Sequence, residues 1–129
     1  MEKAIQLTVT MENVPGQLGR LCRILSQAGV NLHGISVSDA ADVSMIRLCV
    51  SDPAAAKTAL REAGVPFTVQ EVLLLEVDDK PGALEQVAAR LGEAKVNVHY
   101  VYGSSDGRKR KTVLVLKADD PDRARQVLA

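Results

Sequence analysis

Two segments leave a strand-like pattern and enter a helix-like one through the same dipeptide. They are Glu12-Asn13-Val14-Pro15-Gly16-Gln17-Leu18 and Asp78-Asp79-Lys80-Pro81-Gly82-Ala83-Leu84. The first turn of a helix presents unbonded N–H groups and the positive end of its dipole, which suits a carboxylate. Glycine at that point lets a ligand come close to the backbone. Asn13 or Asp79 can accept hydrogen bonds, and a carboxylate there can meet an ammonium group. Asn31 and Asn97, just beyond the ends of the two helices, add a further donor and acceptor. Together these groups suit the two charged ends of a free α-amino acid.

Other chemistries find less support. His33 and His99 occupy equivalent strand positions, where a satisfied strand histidine is the plain expectation and a contact near the ligand a further candidate role. With Cys22 and Cys49 they show none of the close spacings of a zinc site, so no metal is expected. Both cysteines sit in apolar periodic segments, as free cysteines acting as small hydrophobes do. No serine or cysteine nucleophile motif is present, nor a glycine-rich phosphate loop, so neither an enzyme nor a bound cofactor is expected. Adjacent Asp78 and Asp79 point in different directions from a strand end and read as capping groups.

Charge excludes another class. Sixteen basic residues balance sixteen acidic ones, whereas a general nucleic-acid binder needs a basic excess. The run Arg108-Lys109-Arg110-Lys111 follows Ser104-Ser105-Asp106-Gly107 and reads as a solvated turn between strands. Tyr100 and Tyr102 are the only aromatic candidates for stacking on bases, and no flanking aromatic signature accompanies them. No stretch is long and apolar enough for a membrane span, and Met1-Glu2-Lys3-Ala4 runs into a strand pattern without a signal-peptide profile. A cytoplasmic address is expected.

The elements that hold these turns come in duplicate. A shift of 66 residues lays Pro15-Gly16 on Pro81-Gly82, Leu18 on Leu84, Leu25 on Leu91, Val30 on Val96, Asn31 on Asn97 and His33 on His99. Further along the shift becomes 68, and Asp52-Pro53 falls on Asp120-Pro121. The extra residues lie in the basic loop, where insertion costs little.

Alternation of Ile5, Leu7, Val9 and Met11 with polar residues predicts a half-buried strand. Pro15-Gly16 then opens a helix, with Asn13 placed as its cap and Leu18, Leu21, Cys22 and Leu25 as its buried face. Gly29 stops it. Strands are expected over 30–38 and 44–50, joined by a turn at Asp39–Asp42. Asp52-Pro53 starts a second helix that buries Ala56, Ala59, Leu60 and Ala63, and a fourth strand covers 67–71. The order is βαββαβ, an α+β ferredoxin-like unit with an antiparallel sheet and helices on one face. Residues 71–129 repeat it through strands at 72–77, 96–102 and 112–118, a helix at 81–94, and a last helix near Pro121. No closing strand follows, so a neighbouring element should cover that edge. The domains are therefore 1–70 and 71–129, the second lacking its C-terminal strand.

Away from the helices, the first sheet presents Gln6, Thr8, Thr10, Met45, Arg47 and Cys49, a mixed set. The second presents Val72, Leu74, Glu76, Val113, Val115 and Lys117, which is mostly apolar and should pack on another sheet. A homodimer through this outer face is the simplest arrangement, and a separate enzyme is the alternative occupant.

The pattern Asn13-x-Pro15-Gly16-x-Leu18, then Leu25 and Ala28-Gly29-Val30-Asn31-Leu32, resembles the signature of ACT domains. Asp79-x-Pro81-Gly82-x-Leu84, then Leu91 and Ala94-Lys95-Val96-Asn97-Val98, repeats it. The chain is similar throughout to small stand-alone proteins made of two ACT domains in tandem. That resemblance implies side-by-side pairing of ACT units through their second strands. It also implies amino-acid sites made by the turn of one unit and the asparagine region of its partner. It nominates Asn13, Val14, Gly16, Leu18 and Asn31 in the first unit, and Asp79, Lys80, Gly82, Leu84 and Asn97 in the second. A non-catalytic regulatory sensor of a free amino acid is the expected function, with a regulatory subunit docking on an amino-acid biosynthetic enzyme as the alternative. Asp79 in place of Asn13 and Lys95 in place of Gly29 mark the second copy as a divergent one.

Overall fold

The computed structural model describes residues 1–105, 107–108 and 110–129. Asp106 and Lys109, part of the expected solvated turn, lie outside the described residues. The first alternating segment forms strand β1 (Glu2–Glu12). It is followed by α1 (Gln17–Gln27), β2 (Leu32–Ala40), β3 (Val43–Val50) and α2 (Pro53–Glu62). Then come β4 (Phe67–Asp78), α3 (Ala83–Glu93), β5 (Val98–Gly103), β6 (Lys111–Ala118) and α4 (Pro121–Leu128). The strands expected at 67–71 and 72–77 are one continuous twelve-residue strand, because β-forming residues run on without a turn signal between them.

The chain forms two compact units, Ile5–Gln70 and Glu71–Ala129 together with Met1–Ala4. The first four residues, expected in the first unit, thus group with the second. In the first unit the strand order is β2-β3-β1-β4, with β3 antiparallel to both β1 and β2. Leu7 lies opposite Leu48 and Val9 opposite Ile46, so these residues share one face. They form a core with Leu21 and Leu25 of α1 and Ala56 and Leu60 of α2, which places both helices on that face.

In the second unit β6 is antiparallel to β4 and β5. Leu73, Leu75, Leu114 and Leu116 pack with Leu91 of α3 and Ala124 of α4. The described chain adds no strand after α4, and the sheet order sets β1 beside β4. Met1–Ala4 of β1 belong to this unit and stand where the first unit has the start of β4. Lys3 ties the segment in place: its Nζ lies 2.8 Å from Asp122 of α4 and 3.6 Å from Glu71 of β4. Donation of a hydrogen bond from Lys3, reinforced by its charge, lowers the Asp122 carboxyl below its ordinary value.

Two expectations about surfaces change. Gln6, Thr8 and Cys49 point away from the helices of the first unit yet are buried. The Gln6 amide donates to Gln70 Oε1 at 3.3 Å, Thr8 Oγ1 donates to the same oxygen at 2.7 Å, and Gln70 donates on to Thr68 at 2.7 Å. This ladder satisfies the polar groups that burial would otherwise penalise. On the outer face of the second unit, Val72 is 0 % and Val115 6 % exposed. Within the expected apolar set, Leu74 is half-buried and Val113 exposed. Tyr100 and Tyr102 stack beside them with ring centroids 6.4 Å apart.

Candidate functional site

Each Pro-Gly turn places its glycine in the left-handed region, Gly16 at φ 90° and Gly82 at φ 88°. These glycines, not Asn13, are the residues that precede the helices, and neither α1 nor α3 receives a side-chain cap. Asn13 stands too far back along the turn to reach the first helical N–H groups and is used elsewhere. The helices that start at Asp-Pro behave differently. Asp52 accepts from the N–H of Ala55 at 3.1 Å, and Asp120 accepts from that of Arg123 at 3.0 Å. Of the four helices among the described residues, α2 and α4 are thus capped by their own aspartates, whereas α1 and α3 have no side-chain cap; α1 has no acidic residue in its first turn, and α3 has Glu85 there.

The Asn13 backbone N–H donates to Asp42 O at 2.8 Å, and Asp79 N–H donates to Arg110 O at the same distance. Each turn is thereby tied to the hairpin that joins the next two strands. Asn13 Nδ2 also donates to Asp39 Oδ1 at 2.9 Å and to Ala41 O at 3.2 Å. In the second unit Ser105 Oγ donates to Asp79 Oδ2. Lys80 lies 3.8 Å from Asp78, which also bridges to Lys111 at 2.5 Å. The Lys111 hydrogen bond, helped by its charge, holds the Asp78 carboxyl below its usual value.

Val14, Leu18 and Leu84 are 49 %, 48 % and 45 % exposed. Leu18 therefore departs from the expected buried face, which consists of Leu21 and Leu25 with Cys22 half-buried. On the first helical turn Leu18 thus stays exposed although it continues the spacing of Leu21 and Leu25.

Asn31 and Asn97 are exposed and lie at the opposite ends of α1 and α3 from the turns. Eleven helical residues span about 16 Å, so one unit does not bring its turn and its asparagine together. Each asparagine is fixed through its backbone. Asn31 N–H donates to Ser51 Oγ at 2.9 Å, and Asn97 N–H donates to Asp119 Oδ1 at 3.2 Å. His33 and His99 are exposed and sit at register shifts, between Leu32 and Gly34 and between Val98 and Tyr100. They are therefore bulge residues, not members of a regular strand pair.

A shallow pocket of about 190 Å³ adjoins the start of α1 in the first unit. Its lining includes Glu12 and Gln17 of the turn segment together with Arg20 and Gly64, none of which the sequence nominated as site residues. Arg20 extends across it, its Nη2 donating to Ala63 O at 3.3 Å. The available signal was Arg20 four residues after the helix-starting glycine. Among the described residues no group of three or more His, Cys, Asp or Glu side chains could hold a metal ion, and no helix is long and apolar enough to cross a membrane.

Comparison with known proteins fits this architecture. A Bacteroides thetaiotaomicron protein of solved structure superposes with a TM-score of 0.92 at 27 % identity, over 98 % of this chain and 86 % of that one. The ligand-free regulatory subunit of aspartate kinase from Thermus thermophilus gives 0.73 at 11 % identity, over 98 % and 90 %. Escherichia coli aspartokinase III in complex with aspartate and ADP gives 0.66 at 18 % identity, over 98 % of this chain and 30 % of that one. No curated protein matches the sequence. The family model for the ACT domain pair matches residues 3–129, and the chain belongs to that family.

Proposed function

We propose that the chain is a non-catalytic regulatory module that binds a free amino acid at its Pro-Gly turns. The carrying observation is the contrast in helix starts. Asp52 and Asp120 cap α2 and α4, whereas α1 and α3 start from left-handed glycines with no side-chain cap. An open first turn attracts an anion through its N–H groups and dipole. A ligand α-carboxylate is the natural occupant in an ACT protein. Val14, Gly16 and Leu18 in the first unit, and Lys80, Gly82 and Leu84 in the second, line this approach. Because Asn31 and Asn97 lie a helix length away, their part in a site requires a second ACT unit to present them, with His33 or His99 two residues on. The similarity to a regulatory subunit of aspartate kinase and to an aspartokinase in complex with aspartate supports an amino-acid-responsive role, for which we keep the cytoplasm as the proposed address.

A thermal-shift screen of the proteinogenic amino acids tests this reading. A ligand at 100 times its dissociation constant stabilises by roughly 2.7 kcal/mol. Asn31→Ala and Asp79→Ala should weaken binding while leaving the fold intact. A screen with no response to any amino acid would sink the proposal.

The assembly we propose is a homodimer through the outer face of the second unit. Val113 is 56 % exposed there, with Leu74 and the two tyrosines half-buried beside it. The same surface could instead receive an amino-acid biosynthetic enzyme. Sedimentation of a clean monomer at micromolar concentration removes the dimer, and recovery of a bound enzyme favours the second occupant.

A further inference from the structure

Among the described residues, two that are not glycine take a left-handed backbone, Lys95 and Ala41, each at φ 59°. Lys95 closes α3 at the position where Gly29 closes α1, an ordinary helix ending. Ala41 has no such role. With Asp42 it forms the two-residue connection between β2 and β3. Connections of that length favour glycine, asparagine or aspartate where φ is positive, because a β-carbon crowds the backbone there. In the second unit the positive φ between β5 and β6 falls on a glycine, Gly107. Ala41 and Asp42 are both exposed, so burial does nothing to offset the strain.

The strained hairpin is held by Asn13. Its backbone N–H donates to Asp42 O at 2.8 Å, and its Nδ2 donates to Asp39 Oδ1 at 2.9 Å and to Ala41 O at 3.2 Å. A carboxamide nitrogen carries two hydrogens, and the hairpin takes both. In this arrangement the Asn13 side chain has no donor left for a carboxylate arriving at the Pro-Gly turn. Asp79 of the second unit makes the same backbone bond, to Arg110 O, but its side chain accepts from Ser105 instead of donating. We propose that the contact in the first unit is autoinhibitory. Asn13 latches the strained β2–β3 hairpin, and a bound amino acid that draws the Asn13 amide to its carboxylate releases it. Relief of strain at Ala41 offsets part of the cost of breaking the two side-chain bonds. Ligand and hairpin thus compete for one amide, and the release passes to β2, the edge strand of the first unit. This rests on the amino-acid-binding reading above.

The test combines calorimetry on the full chain, with the proteinogenic L-amino acids as probes, and amide hydrogen exchange over residues 39–43. In the wild type, exchange there should rise when the amino acid binds, whereas simple docking would lower it. Ala41→Gly removes the strain and favours the latched arrangement. It should raise the melting temperature without ligand and weaken binding roughly two- to fivefold. Asn13→Ala, which removes the latch, should raise exchange over 39–43 with no ligand present. Lower exchange over 39–43 on binding, or an Ala41→Gly variant that binds as tightly as the wild type, overturns the latch and leaves Asn13 as a plain loop tie. The amino-acid-binding reading survives either result. If no amino acid binds the wild type, that reading itself falls, and the latch with it.

Discussion

Asn13 donates to Asp39 in the first unit, and Ser105 donates to Asp79 in the second. The helix that follows has no side-chain cap in either, the glycine before it is left-handed in both, and the backbone tie to the hairpin is 2.8 Å in both. What drifted between the copies is which side chain plays each part. What stayed is backbone geometry and the location of one charge. A duplicated unit can therefore be read as its own control: features kept despite residue exchange are those the arrangement needs.

The largest expected effects test whether the two cores are equally tight. Leu25 and Leu91 are equivalent, 1 % and 0 % exposed, and each sits in the core of its own unit. Truncating a buried leucine costs roughly 2–5 kcal/mol, depending on how well the cavity collapses. Leu25→Ala and Leu91→Ala should each fall in that range in chemical denaturation. A Leu91→Ala cost well below that of Leu25→Ala would show the second unit to be more loosely packed.

A smaller effect concerns the ends of α1 and α3. Gly29 and Lys95 both hold the left-handed conformation, at φ 72° and 59°. A side chain there costs roughly 1–2 kcal/mol, partly offset by the entropy that glycine loses on folding. Lys95→Gly should therefore stabilise the protein by about 0.5–1 kcal/mol. Gly29→Lys should destabilise it by a similar amount, since a β-carbon at Gly29 meets nothing within 4 Å and only the backbone objects. Thermal melts of the two variants read both signs. A destabilised Lys95→Gly would mean that the lysine side chain makes a contribution of its own.

Much of this was legible in the sequence because it rests on periodicity. Leu7, Val9, Leu21, Leu25, Ala56 and Leu60 were placed in the core by spacing alone, and Asp52-Pro53 and Asp120-Pro121 announced helix starts. The misreadings share a cause. Asn13 looked like a cap because asparagine commonly is one, but a left-handed glycine intervenes and turns its side chain toward the hairpin. Leu18 fits a helical stripe by number, yet on the first turn it stays outside the core that buries Leu21 and Leu25. Asp39 was not legible as the partner of Asn13 because 26 residues separate the two. Contacts between loops carry no period, and only the comparison of copies exposes them.

The least costly change addresses how each unit closes its sheet. The first uses the start of β4, whereas Met1–Ala4 stand in that place in the second, with Lys3 bridging Asp122 and Glu71. Asp122 has its folded value lowered from 3.8, so its contribution is present above that pH and is lost as pH falls through the lowered value. Lys3 is raised from 10.5, first by its hydrogen bond to Asp122, so its contribution is present below that pH and is lost as pH rises through the raised value. Between those limits Lys3→Met should lower the melting temperature slightly, because an exposed pair is screened by water and salt. The deficit should shrink in strong acid and in high salt. Amide exchange should rise in α4, which carries Asp122, and stay unchanged in α2, its equivalent in the first unit. Equal exchange in α4 of variant and wild type would mean that Met1–Ala4 rest against the second unit without helping to close it.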